Sequence, residues 1–143
     1  MNAARQWDRG QVLAFFALVL PIVMLPAVAY SVDVAVLGTG AAGLQAAVAQ
    51  AVEVAAQQID VGTLRAGGGL ELDPAQAAKV ASDMLIAAQP LAVVDSVTVA
   101  GWSVTLAASE LVVLAIPLWT RAVTLHAHAS ARLVPGYESP SSL

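Results

Sequence analysis

The chain has 143 residues, 59% of them hydrophobic and 11% charged, with a formal net charge of -4 and no cysteine. Its 6 lysines and arginines form no run, so the clustered positive charge that neutralises phosphates is missing and nucleic acid is excluded as a partner. Without cysteine there is no disulfide framework, thiol nucleophile or thiolate-bound metal, and any folded domain must hold by packing alone.

From the N-terminus, Arg5, Asp8 and Arg9 precede an uncharged stretch, Val12 to Tyr30, that reads VLAFFALVLPIVMLPAVAY. As a helix it extends roughly 28 Å at about 1.5 Å per residue, close to the roughly 30 Å of a bilayer's hydrocarbon core. The next basic residue is Arg65. The lysine and arginine bias therefore predicts a single pass of the cytoplasmic membrane, N-terminus inside and about a hundred residues outside. Pro21 and Pro26 each remove a backbone donor and favour a kink, which membrane helices tolerate. Ala27-Val28-Ala29 before Tyr30 also offers a small-x-small site to signal peptidase, which leaves open an unrelated signal-anchored extracytoplasmic interaction domain. Against that alternative, the apolar run exceeds the usual h-region of about 7 to 15 residues, and a helical pattern continues past Tyr30.

Arg9, Gly10, Gln11, Leu13, Phe16, Ala17, Leu18, Leu20 and Pro21, at this spacing, resemble the N-terminus of the TadE-like pseudopilins of the Flp/Tad pilus assembly system, approximately R-G-Q-x-L-x-E-F-A-L-x-L-P. The resemblance implies a minor pilin or pseudopilin-like structural subunit and no enzyme. Residues 1–10 would be a leader cut by a prepilin peptidase between Gly10 and Gln11. The mature helix would pack through Phe15, Phe16, Leu20, Pro21 and Pro26 against other pilin or pseudopilin subunits and pilus assembly proteins. The family's glutamate, fifth in the mature chain, falls on Phe15. In pilin-like proteins that carboxylate is thought to neutralise a neighbour's terminal amine inside the filament core, where an unpaired charge is costly. Its replacement points to the filament tip or the assembly machinery. A blander account is easier insertion, because an acidic residue near a span's centre costs about 2.5 to 3.5 kcal/mol.

Ser31 to Gln45 carries Gly38, Gly40 and Gly43 in the spacing G-x-G-x-x-G behind an apolar run. This is the dinucleotide fingerprint, and it motivates an alternative as a membrane-tethered FAD or NAD protein. The fingerprint works only at a strand-turn-helix junction followed by a second strand, with an acid about 20 residues on to hold the ribose, here Asp60. Leu44, Val48, Val52, Ala55 and Ile59 instead recur at helical spacing, with Gln50, Glu53 and Gln57 on another face. The pattern thus runs as helix through the place of the second strand, the small residues allow close helix approach, and no cofactor is expected. One helix is predicted from about Gln11 to Asp60, with room for a break near Gly38 to Gly43. Gly62 and Gly67-Gly68-Gly69 end it in a flexible joint over residues 63–72.

Asp73 as N-cap, Pro74 at the first helical position and Gln76 three residues beyond the cap open a second helix. Its apolar stripe is Ala77, Val80, Ala81, Met84, Leu85 and Ala88, aimed at the sheet that follows, and Pro90 stops it. Lys79 and Asp83 form a solvated pair at i, i+4. From Val93 the period becomes two. A turn at Ala100-Gly101 would set Val99 opposite Trp102 and Val97 opposite Val104. Glu110 to Trp119 reads as an apolar stretch in which Pro117 excludes a central strand position, and Leu111 to Leu118 could offer a partner an apolar patch. Val123, Leu125, Ala127, Ala129, Ala131 and Leu133 then alternate with Thr124, His126, His128, Ser130 and Arg132 in a half-buried strand. Residues 135–143 form a flexible tail.

No catalytic or metal-ligating residue is assigned. His126 and His128 share a strand face, but two ligands without a third donor do not make a metal site. Ser109 has no histidine partner at a recognisable spacing, and Asp33, Glu53 and Asp60 are too scattered for an acid/base pair. The expected fold is α+β. A long N-terminal membrane-spanning helix with its extracytoplasmic extension (11–62) and the joint lead into an extracytoplasmic domain (73–134), a short helix on a small antiparallel β-sheet. This order of elements also resembles the TadE-like family.

Overall fold

The computed structural model describes residues 4–114 and 121–134, with side chains from residue 12 onward. It is an α+β fold in the order α1 (Ala4–Ala55), α2 (Val61–Arg65), α3 (Pro74–Ala88), β1 (Ala92–Ala100), β2 (Ser103–Val113), β3 (Ala122–Arg132). The strands form one antiparallel sheet, ordered β1-β2-β3. Two compact units divide the chain, Met1–Gly38 with Val113–Val123 and Thr39–Val112 with Thr124–Leu143.

In the first unit α1 runs through Pro21 and Pro26 without a change of helical type. It begins at Ala4, inside the stretch assigned to a leader, where Ala4, Arg5 and Gln6 are good helix formers and no proline precedes Gly10. In the same unit the Leu114 N–H donates to the Arg121 carbonyl at 3.0 Å.

In the second unit α1 continues to Ala55. The break expected near Gly38 to Gly43 does not occur, since glycine in a helix costs only about 1 kcal/mol relative to alanine and the turns beyond it are buried. Leu44, Ala47, Val48, Ala51, Val52 and Ala55 recur every three or four residues. They share one core with Ala77, Ala81 and Leu85 of α3 and with Ala92, Val104, Leu106, Ala108 and Ala127 of the sheet. Alanine dominates this list, so the backbones approach closely. The helix stops short of Asp60. Ile59, expected as the last member of the helical stripe, instead pairs with Leu72 in an isolated antiparallel bridge.

The stretch expected as a joint takes in part of the short helix α2, which is capped at both ends. Asp60 caps α2, its Oδ1 accepting from the Gly62 and Thr63 amides at 2.8 and 3.1 Å and its Oδ2 from the Thr63 hydroxyl at 2.6 Å. At the other end Gly67 takes φ 80°. The Gly67 N–H donates to Leu64 O at 3.2 Å and the Gly68 N–H to Thr63 O at 3.0 Å. This pair of bonds around a left-handed residue is a Schellman cap. The base is clipped by Asp60 N–H to Glu71 O at 2.9 Å and Asp73 N–H to Gln58 O at 3.0 Å.

Helix α3 starts as its sequence dictates, with Asp73 Oδ1 accepting from the Ala75 and Gln76 amides at 3.0 Å each. Gln58 O takes the Asp73 N–H that a capping-box side chain would otherwise serve. Ala77, Ala81 and Leu85 are buried, Val80 and Met84 are half-buried, and Ala88, expected in the same stripe, is exposed. Helix α3 packs on β1. Lys79 and Asp83 meet at 2.7 Å with both side chains largely in solvent, which raises the Lys79 pKa through its hydrogen bond to Asp83 and the charge of that carboxylate.

The hairpin turns one residue later than expected. Ala100 pairs with Ser103, Val99 with Val104 and Val97 with Leu106, so Gly101-Trp102 forms the turn. Gly101 has φ 58° and no other residue near it has positive φ, the pattern of a type II′ turn with glycine first. Because the slip moves the partner by two residues, the buried face is kept. The register shifts once more between Val94 and Ser96. There Asp95 bulges out of β1, so that it and Ser96 both face solvent while Val94 and Val97 face inward. Strand β2 extends to Val113, into the stretch from Glu110 that reads as apolar in the sequence. Strand β3 alternates as the sequence predicts, with Ala127 its most buried residue. Pro117, Trp119 and the tail 135–143 lie outside the described residues, as does part of the stretch Leu111 to Leu118.

Candidate functional site

Among the described residues, α1 carries a long run of exposed apolar side chains. Val12, Leu13, Phe15, Phe16, Leu18, Leu20, Ile22, Val23, Met24 and Leu25 are all exposed, Leu13 at 70% and Phe15 at 62%. These residues cover every side of the helix, which in water would be a large penalty, and a helix apolar all round is stable only when lipid or other helices surround it. Its length and hydropathy suffice to cross a membrane. Phe15 and Phe16 lie edge to face, centroids 6.2 Å apart, and both add only apolar surface.

Pro21 and Pro26, both exposed, deprive the carbonyls of Ala17 and Ile22, four residues back, of their helical donors. A turn later the Ser31 hydroxyl donates to Ala27 O at 2.9 Å. Burial first appears at Ala29 and Asp33, at 7% and 8% exposure, one turn apart. Asp33 is the one charged residue between Arg9 and Glu53, and it is buried while its neighbours Val32 and Val34 are exposed. Gly10 and Gln11 lie on the described backbone of α1, but their side chains are outside the described residues.

Gly38, Gly40 and Gly43 lie inside α1, not at a strand-turn-helix junction, so the geometry that would hold a pyrophosphate is not the one these residues adopt. Two of them serve packing. A Cβ on Gly40 would stand 3.2 Å from Leu125 Cδ1 and 3.5 Å from Val112 Cγ2, and one on Gly43 would stand 3.1 Å from Gln89 Nε2. Two residues on, Gln45 Nε2 donates to His128 O at 3.1 Å. Asp60, the residue at ribose-binding distance, spends its carboxylate on α2. The Thr63 hydroxyl first, then the Thr63 and Gly62 amides, hold it below its ordinary value of 3.8.

On the outer sheet face the Asp95 bulge gathers a small polar cluster that the sequence did not announce. Ser109 Oγ donates to Asp95 Oδ1 at 2.8 Å, and His126 Nδ1 stands 3.9 Å from Asp95 Oδ2. The one available signal was the polar pair Asp95-Ser96, which breaks the alternation of β1. The Ser109 hydroxyl gives its proton to the Asp95 carboxylate and not to an imidazole, whereas a serine nucleophile must bond to its base. His126 and His128 both project into solvent. Among the described residues no three histidine, aspartate or glutamate side chains converge on a metal-sized site.

No family model, no curated protein and no solved structure matches this chain.

Proposed function

We propose that this chain is a minor pilin or pseudopilin-like structural subunit of a Flp/Tad-type pilus or of its assembly machinery. It is held in the cytoplasmic membrane by α1 with its N-terminus inside, and it carries no catalysis of its own. The observation that supports this most directly is the division of α1. Its N-terminal half shows bare apolar side chains in all directions, and its C-terminal half is built into an α+β core through Leu44, Val48 and Val52. A helix so divided joins lipid and neighbouring helices at one end to a folded domain at the other. The motif at residues 9–21 adds prepilin peptidase as a processing partner, and Phe15 in place of an acidic residue favours the tip or the machinery over the shaft.

N-terminal sequencing of the mature chain tests the reading. A first residue of Gln11 supports prepilin processing. A first residue of Tyr30 would mean signal peptidase had removed the apolar half, and the proposal would fall. Labelling on intact pili tests the tip placement, which even decoration along the shaft would overturn.

A further inference from the structure

Resting on the reading of α1 as the membrane anchor, we propose that the second unit also seats an apolar rim in the outer face of the same bilayer. The rim is formed by Ile86, Leu91, Val93 and Leu111, exposed at 51%, 74%, 61% and 59%. Three internal contacts place it. Gly40 of α1 lies against Val112, the residue after Leu111, and against Leu125. Gly43 lies against Gln89, two residues before Leu91. Leu91, Val93 and Leu111 flank the paired residues Ala92 and Glu110. The end of α3, the start of β1 and the end of β2 therefore gather at the level of Gly40, where the chain enters this unit from its apolar stretch. Gln58 and Asp73 mark the opposite end.

The chemistry of the rim suits lipid. From Met84 to Val94 and from Leu111 to Leu114 no residue is charged. The ionisable groups on the adjoining positions, Glu110 next to Leu111, Asp95 two residues from Val93, and Asp83 one turn before Ile86 and paired with Lys79, border the rim without interrupting it, as on the headgroup side of an interfacial surface. By contrast the apolar residues Val61 and Leu64 of α2 sit among Asp60, Arg65, Glu71 and Asp73.

The reach is sufficient. Val12 to Leu37 is uncharged apart from the buried Asp33, and at roughly 38 Å it is longer than the roughly 30 Å hydrocarbon core. With the outer boundary near Leu37, Gly40 stands about 5 Å above it, inside the interfacial layer. The proposal thus also sets the span further along α1 than Val12 to Tyr30.

Because the chain has no cysteine, single cysteines can report depth in the intact protein. The full chain is reconstituted as Val23→Cys, Leu91→Cys, Leu111→Cys or Leu64→Cys in phosphatidylcholine vesicles. A bimane label on each is then compared between ordinary and acyl-brominated lipid. The labels at 23, 91 and 111 should each lose on the order of half their emission, since interfacial side chains enter the acyl boundary by about 5 to 10 Å, while the label at 64 should be unchanged. Quenching at 23 with 91 and 111 behaving like 64 would overturn the seated rim and leave the anchor standing. No quenching at 23 would overturn both, and equal quenching at 64 would overturn the rim by showing that the domain has no preferred face.

Discussion

Three consecutive glycines that look alike in the sequence should respond to alanine in three different ways. Gly67 holds φ 80°. An alanine there bears about 1 to 2 kcal/mol for the left-handed conformation, and a stiffer unfolded chain offsets about 0.4 to 1 kcal/mol of it, so the net loss is on the order of 1 kcal/mol. At Gly68 a Cβ would stand 2.6 Å from Thr63 Cγ2 and 2.9 Å from Thr63 O. Thr63 cannot retreat, because its amide and hydroxyl are both bound to Asp60. Gly68→Ala should therefore break the Gly68 to Thr63 bond of the cap and cost about 1 to 3 kcal/mol. A Cβ on Gly69 meets nothing within 4 Å, and Gly69→Ala should stabilise by about 0.4 to 1 kcal/mol. Arg65, exposed in the last turn of α2, supplies the assay, since trypsin cuts after it only when α2 opens. With tenfold in rate for each 1.4 kcal/mol, cleavage after Arg65 should quicken a few-fold in Gly67→Ala, by about 5- to 100-fold in Gly68→Ala, and slow by about 2- to 5-fold in Gly69→Ala. Equal responses at all three positions would show an unstructured linker and refute the capped helix.

Leu85→Ala should lower stability by about 2 to 5 kcal/mol in urea unfolding, because Leu85 has no exposed surface in the shared core, whereas Ile86→Ala beside it should stay within about 0.5 kcal/mol. Gly101→Ala should cost about 1 to 2 kcal/mol by thermal melting, since φ 58° at the first turn position is left-handed; no change would place the turn elsewhere. Thr63→Val removes the strongest of the bonds that depress Asp60, so the Asp60 carboxyl, followed by NMR, should titrate closer to 3.8 than in the parent chain. The sign follows from linkage. A carboxyl depressed in the folded state contributes stability above its unfolded pKa and loses it as pH falls through the folded value. Acid opening of α2 should therefore begin at higher pH in Thr63→Val.

The sequence disclosed most where the physics is local. Asp73 before Pro74 opens α3 by bonds that reach only two or three residues, and the period-two run from Val123 to Leu133 states which face of β3 is buried. The exposed apolar half of α1 was equally plain from the charge-free run. What the sequence hid depends on the sign of one dihedral or on a partner far along the chain. Gly101 is first and not second in its turn because that is where positive φ falls. A Schellman cap uses the same glycines as a loose linker and differs only in two hydrogen bonds. Ile59 has the right spacing to continue α1, yet it leaves the helix to pair with Leu72. The burial of Asp33 and the gathering of Ser109 and His126 at Asp95 needed three-dimensional neighbours to be seen.

The narrow neck beneath α2 also has a use. Ile59 and Leu72 pair across it, and the amides of Asp60 and Asp73 bond to opposite strands, so the core beneath registers the neck and not what projects from it. Doubling the length of a loop closed in this way adds only about 0.6 kcal/mol of closure entropy. An epitope or affinity tag spliced in at the exposed Gly69 should therefore ride on the molecule as a cassette while the rest of the chain folds unchanged.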